Sequence, residues 1–352
     1  MPTMHRYVLP VDVTHWTIGA AGETAFTWEY DDGSADLLRL YEKGKAQQWN
    51  ASERIDWSHR CDPDDPMKLA DESIPLFGSP LWKRMGPKDQ AELRYHSQVH
   101  SLSNFMHGEQ GALICSAKIV QTVPTLPAKL YAATQVVDEA RHVEAYKRLL
   151  AEQFRFVYPI NPPLKVLLEQ ALSDGRWDFT YLAMQVMIEG LALAAFQRIR
   201  DHAKDPLCSA VNAYVMQDEA RHVAFGRIAL REYYPQLTEA ERREREDFVI
   251  EASRYLRDRF DQNEVWETLG LPRQECVEWL ATAESTGKFR SRLFSRIVPT
   301  VKEIGLYGGR VQKLYEEFGV GRYADIDAQA QLDEDARIAE KFDAEMRTLL
   351  RQ

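Results

Sequence analysis

The sequence predicts an all-α protein built around a four-helix bundle, with additional helices at both ends of the chain. Two observations predict this fold class. Four long helix-compatible stretches lie between proline-rich breaks, and each is longer than the mean helix of about 11 residues. A six-residue motif also occurs twice within these stretches, each time after a lone glutamate in an apolar segment.

The elements follow one another in a simple order. About 35 residues at the start are rich in Thr, Gly, Asp and aromatic residues, which predicts irregular structure or a short strand pair wrapping a helical body. Proline cannot continue a helix and marks helix ends. The prolines therefore predict long helices over 88–122, 128–157, 176–204 and 207–233. Thr238 and Glu241 form a capping-box pattern, which predicts a fifth helix over 238–262.

Three parts of the chain are predicted from this order. Residues 1–87 form an N-terminal part packed on the bundle, residues 88–262 form the bundle itself, and residues 263–352 form a C-terminal helical extension. The extension is expected to shape the mouth of a site or a subunit contact.

Composition indicates a cytoplasmic globular protein. The 352 residues are 45% hydrophobic and 28% charged, and the net charge is −10. This balance argues against nucleic-acid binding, because no basic surplus is present to neutralise phosphates. We expect no secretory signal and no membrane helix, since no segment approaches about 18 uninterrupted apolar residues. The four cysteines lie far apart and predict reduced thiols: Cys61, Cys115, Cys208 and Cys276.

The repeated motif carries the candidate chemistry. DEARHV occurs at 138–143 and again at 218–223. The glutamates of the two copies, Glu139 and Glu219, each follow a lone glutamate by 30 residues, Glu109 and Glu189 respectively. The chain therefore contains one two-helix unit twice, in the order Glu, loop, Glu-x-x-His.

Helix geometry brings these groups together. Residues at i and i+3 share a helix face, so Glu139 points with His142 and Glu219 points with His222. Apolar neighbours such as Val136 and Val143 predict that this face is buried. Four buried carboxylates need compensating charge, and two divalent cations would supply it.

The same set of groups indicates which metals are bound. Oxygen-rich sites with one imidazole per metal favour iron or manganese over zinc. A single Glu-x-x-His would usually be a surface ion pair or a helix cap, but two matched copies favour a metal site.

At these residues the sequence resembles the ferritin-like di-iron oxygenase and oxidase superfamily. This group includes acyl-carrier-protein desaturases, bacterial multicomponent monooxygenases, ribonucleotide reductase small subunits and p-aminobenzoate N-oxygenase-like enzymes. The resemblance covers about 88–233, with looser similarity over 40–58. It implies a ferritin-like bundle with Glu109 and Glu189 as single ligands, at least one of them bridging the metals, and with the two Glu–His pairs as the remaining ligands.

Further roles are implied by the resemblance. Asp138 and Asp218 match aspartates that hydrogen-bond the ligating histidines, and Arg141 and Arg221 match arginines that pair with those acids. Ordinary surface charges are the alternative for these four residues. Tyr146 stands at the position of a radical tyrosine, with a core aromatic as the alternative.

Some positions depart from particular members of the superfamily. No threonine follows Glu189 within one turn, although monooxygenases and desaturases often have one there. Glu109 stands where the reductase small subunit usually has aspartate. Val215 stands where the N-oxygenase family has an extra histidine ligand, so close membership of that family is not expected.

Other histidines and small residues were candidates for further roles. His96, His100 and His107 precede Glu109 on one helix, and surface or supporting positions are expected for them, with metal binding as the alternative. Small and apolar residues near the site are expected either to line an apolar cavity or to allow tight helix packing: Gly108, Gly111, Ala112, Ala192, Leu193, Phe196 and Gly226.

The predicted function is the oxidation of a small organic or acyl substrate with dioxygen at two iron ions. A Mn/Fe pair is the alternative to two irons. The reaction would be hydroxylation, N-oxygenation or desaturation. Electrons are expected from an external ferredoxin or reductase, because the chain has no flavin, nicotinamide or iron–sulfur motif. Two alternatives stay open: a radical-generating or ligand-binding oxidase like the reductase small subunit, and iron storage or peroxide detoxification, which the length disfavours. A homodimer is expected from the family.

Overall fold

An irregular segment and three short helices precede the bundle. The computed structural model describes residues 16–30 and 33–349. Residues 16–30 form no regular element and run beside the bundle, where the amide of Ala25 donates to the carbonyl of Gln121 (2.9 Å). The predictions made for residues 1–15 and 31–32, including the absent signal segment, lie outside the described residues. The helices are α1 (Ala35–Ala46), α2 (Ala51–Arg54) and α3 (Pro80–Arg84).

The bundle is helical throughout, as predicted, and the described residues contain no strand. Two of its helices continue through π-helical turns, over 150–154 after α5 and over 182–188 between α7 and α8. The sequence does not predict the short helix α6, because the prolines at its start indicate only a break. The helices are α4 (Pro87–Thr122), α5 (Leu126–Leu149), α6 (Pro162–Ser173), α7 (Trp177–Tyr181), α8 (Glu189–His202) and α9 (Pro206–Tyr233).

The helix starts agree with the proline pattern. Proline lies in the first turn of α4, α5, α6 and α9, where its missing N–H costs no intrahelical bond. Asp205 caps α9 by accepting a hydrogen bond from the amide of Cys208 (2.9 Å). The capping box of Thr238 and Glu241 is confirmed, and it begins α10 (Glu239–Asp258).

One continuous helical stretch, Trp177–His202, is long and apolar enough to cross a membrane. Within the protein, however, 89% of its most apolar window is buried. This stretch joins α7, the π-helical turn and α8, and it has the surroundings of a core helix.

The C-terminal helices pack on the bundle. Arg227 on α9 pairs with Glu303 (2.6 Å), and the hydroxyl of Tyr214 donates to Asp343 (3.0 Å). The boundaries at residues 87 and 262 stay predictions. The remaining helices are α11 (Asn263–Thr268), α12 (Arg273–Thr282), α13 (Glu284–Leu293), α14 (Ile297–Glu303), α15 (Gly309–Glu317) and α16 (Ala328–Leu349).

Tight packing accounts for two of the small residues near the repeat. A Cβ atom at Gly226 would lie 2.5 Å from the Cβ of Gln185, and one at Gly111 would lie 2.4 Å from a methyl of Leu168. Both distances are below van der Waals contact. Glycine at these two positions therefore lets the helices approach closely, which was one of the two expected roles.

Candidate metal centre

The six residues of the repeat converge in the interior of the bundle. Glu109 comes from α4, the pair Glu139 and His142 from α5, Glu189 from α8, and the second pair from α9. Each side chain is at most 5% exposed. Their ligand atoms form two groups, each with all atoms within 4.8 Å: Glu109, Glu139, His142 and Glu219 in one, and Glu139, Glu189 and His222 in the other.

Both histidines turn Nδ1 towards the carboxylates. His142 Nδ1 lies 3.1 Å from Glu109 Oε2 and 3.3 Å from Glu219 Oε1. His222 Nδ1 lies 3.0 Å from Glu139 Oε1 and 3.4 Å from Glu219 Oε1. Glu139 and Glu219 therefore approach both rings, and bridging by Glu109 or Glu189 stays a prediction.

The other ring nitrogens meet aspartates from the opposite copy of the motif. His142 Nε2 lies 3.1 Å from Asp218 Oδ2, and His222 Nε2 lies 3.3 Å from Asp138 Oδ2. A carboxylate at this nitrogen fixes the ring orientation and raises its basicity as a ligand. The sequence predicted aspartate partners for the histidines but not the exchange between the two copies.

The aspartates are themselves paired with buried arginines. Arg141 contacts Asp218 at 3.0 Å and also pairs with Asp138. Arg221 contacts Asp138 at 3.2 Å and also pairs with Asp218. The four groups form one closed network below the histidines, and the alternative of plain surface charges is wrong because all four are buried.

A segment outside the repeat completes this network. Trp49 Nε1 donates to Asp218 Oδ2 (2.8 Å), Gln48 Nε2 donates to Asp138 Oδ1 (2.8 Å), and Gln47 accepts from Arg221 (2.9 Å). Sequence reasoning missed these roles. The only signal was the looser family similarity over 40–58, which contains all three residues.

Gln135 is a further residue that the sequence did not single out. It lies one turn before Glu139 and is fully buried. Its amide donates to Glu139 Oε1 (3.0 Å) and to Glu189 Oε1 (2.9 Å). Val136 and Val143, which were expected on the buried face, are only partly buried.

Burial and neighbouring charges shift the pKa values of the acids in the centre in opposite directions. Burial, together with the nearby Glu219, raises the pKa of Glu109 and of Glu189 well above the usual range. Burial opposes ionisation of Glu139 too, but His222 and His142 beside it hold its pKa low. Burial would lower the pKa of His142, yet its contacts with Asp218 and Glu109 raise it. Without a cation, therefore, the site must hold protons to be stable.

Unpartnered atoms in this site fit a pair of metal ions. Buried oxygens of Glu139 and Glu189 and both oxygens of Glu219 lack hydrogen-bond partners, as does Nδ1 of His222. Leaving so many buried acceptors unsatisfied is costly. The donor set of carboxylates with one imidazole in each group suits iron or manganese.

Tyr146 and the three additional histidines are held by ordinary hydrogen bonds. The Tyr146 hydroxyl donates to Asn212 (2.9 Å). His96 contacts the Tyr158 hydroxyl (2.7 Å), and His100 contacts Glu264 (3.1 Å). His107 contacts the Tyr158 carbonyl (2.8 Å). None of the three histidines belongs to a metal-ligand group among the described residues.

A cavity of about 500 Å³ opens beside the bundle and reaches Phe105. The Phe105 ring packs against Phe196 (4.8 Å between ring centroids) and Tyr146 (5.9 Å). None of the seven small and apolar residues that were candidates for a cavity lines this one. Its wall is instead rich in cationic side chains: Arg94, Arg198, Lys204, Lys288 and Arg292.

Comparison with known proteins identifies a matching family. A sequence model of the family described as P-aminobenzoate N-oxygenase AurF matches residues 31–305, well over half of the chain. No curated protein matches significantly.

Solved structures resemble the fold. Two variants of an R2-like ligand-binding oxidase with an anaerobically reconstituted Mn/Fe cofactor superpose with TM-scores of 0.51 and 0.50, at 19% and 17% identity. In both cases 78% of this chain and 95% of the other are covered. At this level of identity the likeness concerns the all-α ferritin-like fold alone.

Proposed function

This chain belongs to the p-aminobenzoate N-oxygenase family, and from that premise we propose that it oxygenates a small organic acid at a pair of iron ions. Family membership makes it an oxidoreductase of the di-iron type. It also corrects the expectation drawn from Val215, because the chain matches the family although that buried position lacks a histidine.

The observation that carries the proposal is the buried group of four glutamates and two histidines with unpartnered oxygens. We propose Glu109, Glu139 and His142 with Glu219 as the ligands of one ion, and Glu189 and His222 with the shared Glu139 and Glu219 as those of the other. Bound there, two ferrous ions would supply electrons to reduce dioxygen. A Mn/Fe pair, as in the R2-like oxidases, fits the same ligands.

The protein's own residues would orient and protect this chemistry. Asp138 and Asp218 hold the ring planes of the two histidines through Nε2. Phe105 lies one turn before Glu109 on α4, and its ring packs on that of Phe196 (4.8 Å between centroids). These two rings would shield that side of the centre from water. Gln135 aligns Glu139 and Glu189 through its amide donors.

We propose that the substrate carries a carboxylate and enters through the cavity at Phe105. Arg198 supports this idea because, among the described residues, no acidic side chain pairs with it. Its guanidinium lies over the ring of Phe289 (4.8 Å) and donates to the carbonyl of Ser73 (3.4 Å). Burial and the neighbouring Arg292 lower its pKa, so an anion there would relieve like-charge repulsion. The amine of an aminoaryl acid could then extend inward to Phe105.

The test loads apoprotein with ferrous iron under anaerobic conditions, counts the metal, and admits dioxygen with a reductant and aminobenzoic acids. We expect about two irons per chain and a product one oxygen heavier, detected by mass spectrometry. Aniline, which lacks the carboxylate, should react far less. Two bound irons without product from any aryl acid would contradict the proposed reaction.

A pair of variants tests the anion site. Arg198→Ala should raise KM for the acid by about tenfold or more, in line with loss of a charge-assisted hydrogen bond of 1.5–3 kcal/mol, and leave the iron count unchanged. Lys288→Ala is the control, since Lys288 lies on the same cavity but already pairs with Glu284 (2.6 Å). Equal effects of the two substitutions would rule out a specific role for Arg198.

A ligand-binding or radical-generating oxidase is the second candidate. It is favoured by Tyr146, which is fully buried and lies four residues after His142 on the same helix. This candidate predicts a tyrosyl radical signal by electron paramagnetic resonance after aeration, which Tyr146→Phe abolishes, and no catalytic turnover.

The remaining proposals concern partners and location. We propose that a separate ferredoxin or reductase supplies electrons, that the chain forms a homodimer, and that it works in the cytoplasm without nucleic-acid or membrane partners. Free thiols at all four cysteines support a reducing compartment.

A further inference from the structure

The two ends of the metal centre are lined by different kinds of side chain. At the end nearest the cavity, the rings of Phe105, Phe196 and Tyr146 pack on one another. At the opposite end the chain places polar residues in a repeated pattern. Tyrosine, glutamine and glutamate follow one another at four-residue intervals in two helical stretches: Tyr131, Gln135 and Glu139, and again Tyr181, Gln185 and Glu189.

Helix direction puts both copies of this pattern at one end of the centre. Residues that follow the ligands on α5 and α8, such as Tyr146 and Phe196, form the aromatic end. Residues that precede the ligands on these helices therefore lie at the other end. The ring of Phe225 on α9 joins them, at 4.4 Å from the ring of Tyr131 and 4.9 Å from that of Tyr181 between centroids. The two tyrosines thus lie on either side of one ring.

Several polar atoms at this end have no partner in the protein. Tyr131, Gln135, Tyr181 and Gln185 are fully buried. Among the described residues, no hydrogen-bond partner meets either tyrosine hydroxyl, either polar atom of the Gln185 amide, or the amide oxygen of Gln135. Leaving five buried polar atoms unsatisfied is costly, and native proteins satisfy such atoms with protein groups or with ordered water.

The chemistry of these atoms points to water as their partner. Gln185 offers a donor nitrogen and Gln135 an acceptor oxygen, yet the two atoms do not meet each other. Polar groups that lie beyond direct hydrogen-bond reach are commonly bridged by water. A buried water makes about three hydrogen bonds, so about two water molecules would satisfy the five atoms.

The backbone and the packing fix both glutamines beside the ligands. Residues 182–188 form a π-helical turn, a feature that is frequent at functional sites. The stem of Gln185 packs on Gly226, where an added Cβ would lie only 2.5 Å from the Cβ of Gln185. Gln135 donates to Glu139 Oε1 (3.0 Å) and to Glu189 Oε1 (2.9 Å). Water held by these amides would therefore lie next to the carboxylates.

The polar end also approaches the protein surface. The ring of Trp177 lies 5.5 Å from that of Tyr181 and 4.7 Å from that of Tyr233 between centroids. Trp177 and Tyr233 are only partly buried, and the preceding Arg176 is exposed. Since Trp177 and Tyr181 are four residues apart, about one helix turn separates the tyrosine from solvent-exposed chain.

We propose that Gln135, Gln185 and the two tyrosines hold ordered water beside the metal centre, and that this water carries the protons that dioxygen reduction consumes. Chains of water can transfer protons to a reacting group. The inference rests on the proposed function. When one oxygen atom of dioxygen enters the substrate, the reaction also takes up two electrons from the reductant and two protons, and the second oxygen atom leaves as water. Because the aromatic end shields the centre from water, the polar end is the side through which protons and product water pass.

The first experiment is a high-resolution crystal structure of the full-length protein as purified, which requires neither bound iron nor activity. We expect about two ordered waters within hydrogen-bond distance of Gln135, Gln185 and the tyrosine hydroxyls. Gln185→Met, which keeps a side chain of similar length and removes both polar atoms, should lose at least one of these waters. A wild-type structure without water at this end would overturn the proposal.

The second experiment follows dioxygen consumption by the iron-loaded protein with excess reductant and no organic substrate, in H₂O and in D₂O. Complete reduction of dioxygen to two waters takes four electrons and four protons, so slower proton supply is visible without a substrate. We expect Gln185→Met to react about tenfold more slowly or worse, with a larger solvent isotope effect and an unchanged iron count. Tyr181→Phe, which removes a single hydroxyl, should show a smaller change in the same direction.

A matched control lies beside Gln185. Met184 is fully buried in the same π-helical turn, and Met184→Leu conserves volume, so it should keep the wild-type rate and isotope effect. Equal slowing in Met184→Leu would assign the effect to packing and overturn the proton role, as would wild-type behaviour of both Gln185→Met and Tyr181→Phe. Protein that reduces dioxygen but oxygenates no aryl acid contradicts the proposed function alone, because these measurements use no organic substrate.

Discussion

At the scale of single residues, each ligand histidine is oriented by an aspartate from the opposite hairpin. His142 contacts Asp218, and His222 contacts Asp138. The motif predicted that each histidine contacts an aspartate. It did not predict that this aspartate comes from the other copy of the motif, because the pairing depends on how the helices are rotated about their axes. A residue spacing along one helix fixes a face and leaves that rotation open.

The first prediction concerns Asp218→Asn. An amide cannot supply the charge that Arg141, Arg221 and His142 share with this carboxylate. Loss of a carboxylate behind a metal-binding histidine typically costs about 10- to 100-fold in metal affinity or activity. We therefore expect iron affinity to fall by about that factor, measured by competition with a coloured chelator.

A matched control separates this effect from a general change of charge. Asp247→Asn removes an acid on α10 that pairs with exposed Arg310, and it should leave iron affinity unchanged. Unaltered affinity in Asp218→Asn would show that the aspartate is not needed to hold the histidine.

The second prediction concerns pH. Glu109 and Glu189 have raised pKa values from burial and from the nearby Glu219, so the metal-free centre keeps protons where free carboxyl groups have lost them. Metal must displace these protons. We expect proton release on binding and an apparent iron affinity that increases with pH. Calorimetry in buffers of different ionisation enthalpy measures this release, and binding without proton release would contradict the raised pKa values.

At the scale of elements, the sequence predicted the long helices well and the connections poorly. Proline marked the starts of α4, α5 and α9, and the repeated motif marked the two hairpins. Helix α6 was missed because its own prolines, in its first turn, resemble a loop. The contacts of Gln48 and Trp49 with the aspartates were missed as well, since about 90 or more residues separate the partners and no local pattern encodes such pairing.

The third prediction concerns packing of α9 on the π-helical turn. Gly226→Ala would place a methyl 2.5 Å from the Cβ of Gln185, and overpacking of this kind costs about 1–3 kcal/mol. We expect a lower thermal midpoint and a weaker metal site, because Gln185 lies one turn before Glu189. Gly287→Ala on α13 meets no atom within 4 Å and should be neutral or slightly stabilising.

At the scale of the whole molecule, the face formed by α4 and α5 carries apolar side chains that residues 16–30 and 33–349 leave exposed. Ile114 is 49% exposed and Val137 is 53% exposed, and both lie on the hairpin that holds Glu109 and Glu139. Phe26 and Trp28, in the irregular segment beside α4, are each 80% exposed. Contiguous apolar surface commonly marks a subunit contact, and we propose that these side chains belong to one. Composition alone does not reveal which helix face they occupy.

The fourth prediction follows from this face. If the homodimer forms through α4 and α5, Val137→Lys buries a charge at the contact, which is costly without a partner, and the protein should become monomeric. Light scattering coupled to size-exclusion chromatography measures the mass. Glu251→Lys, a change at an exposed position on α10, should keep the dimer. If the Val137→Lys protein stays dimeric, the contact does not lie at α4 and α5. If the wild-type protein is monomeric, the proposed homodimer is wrong.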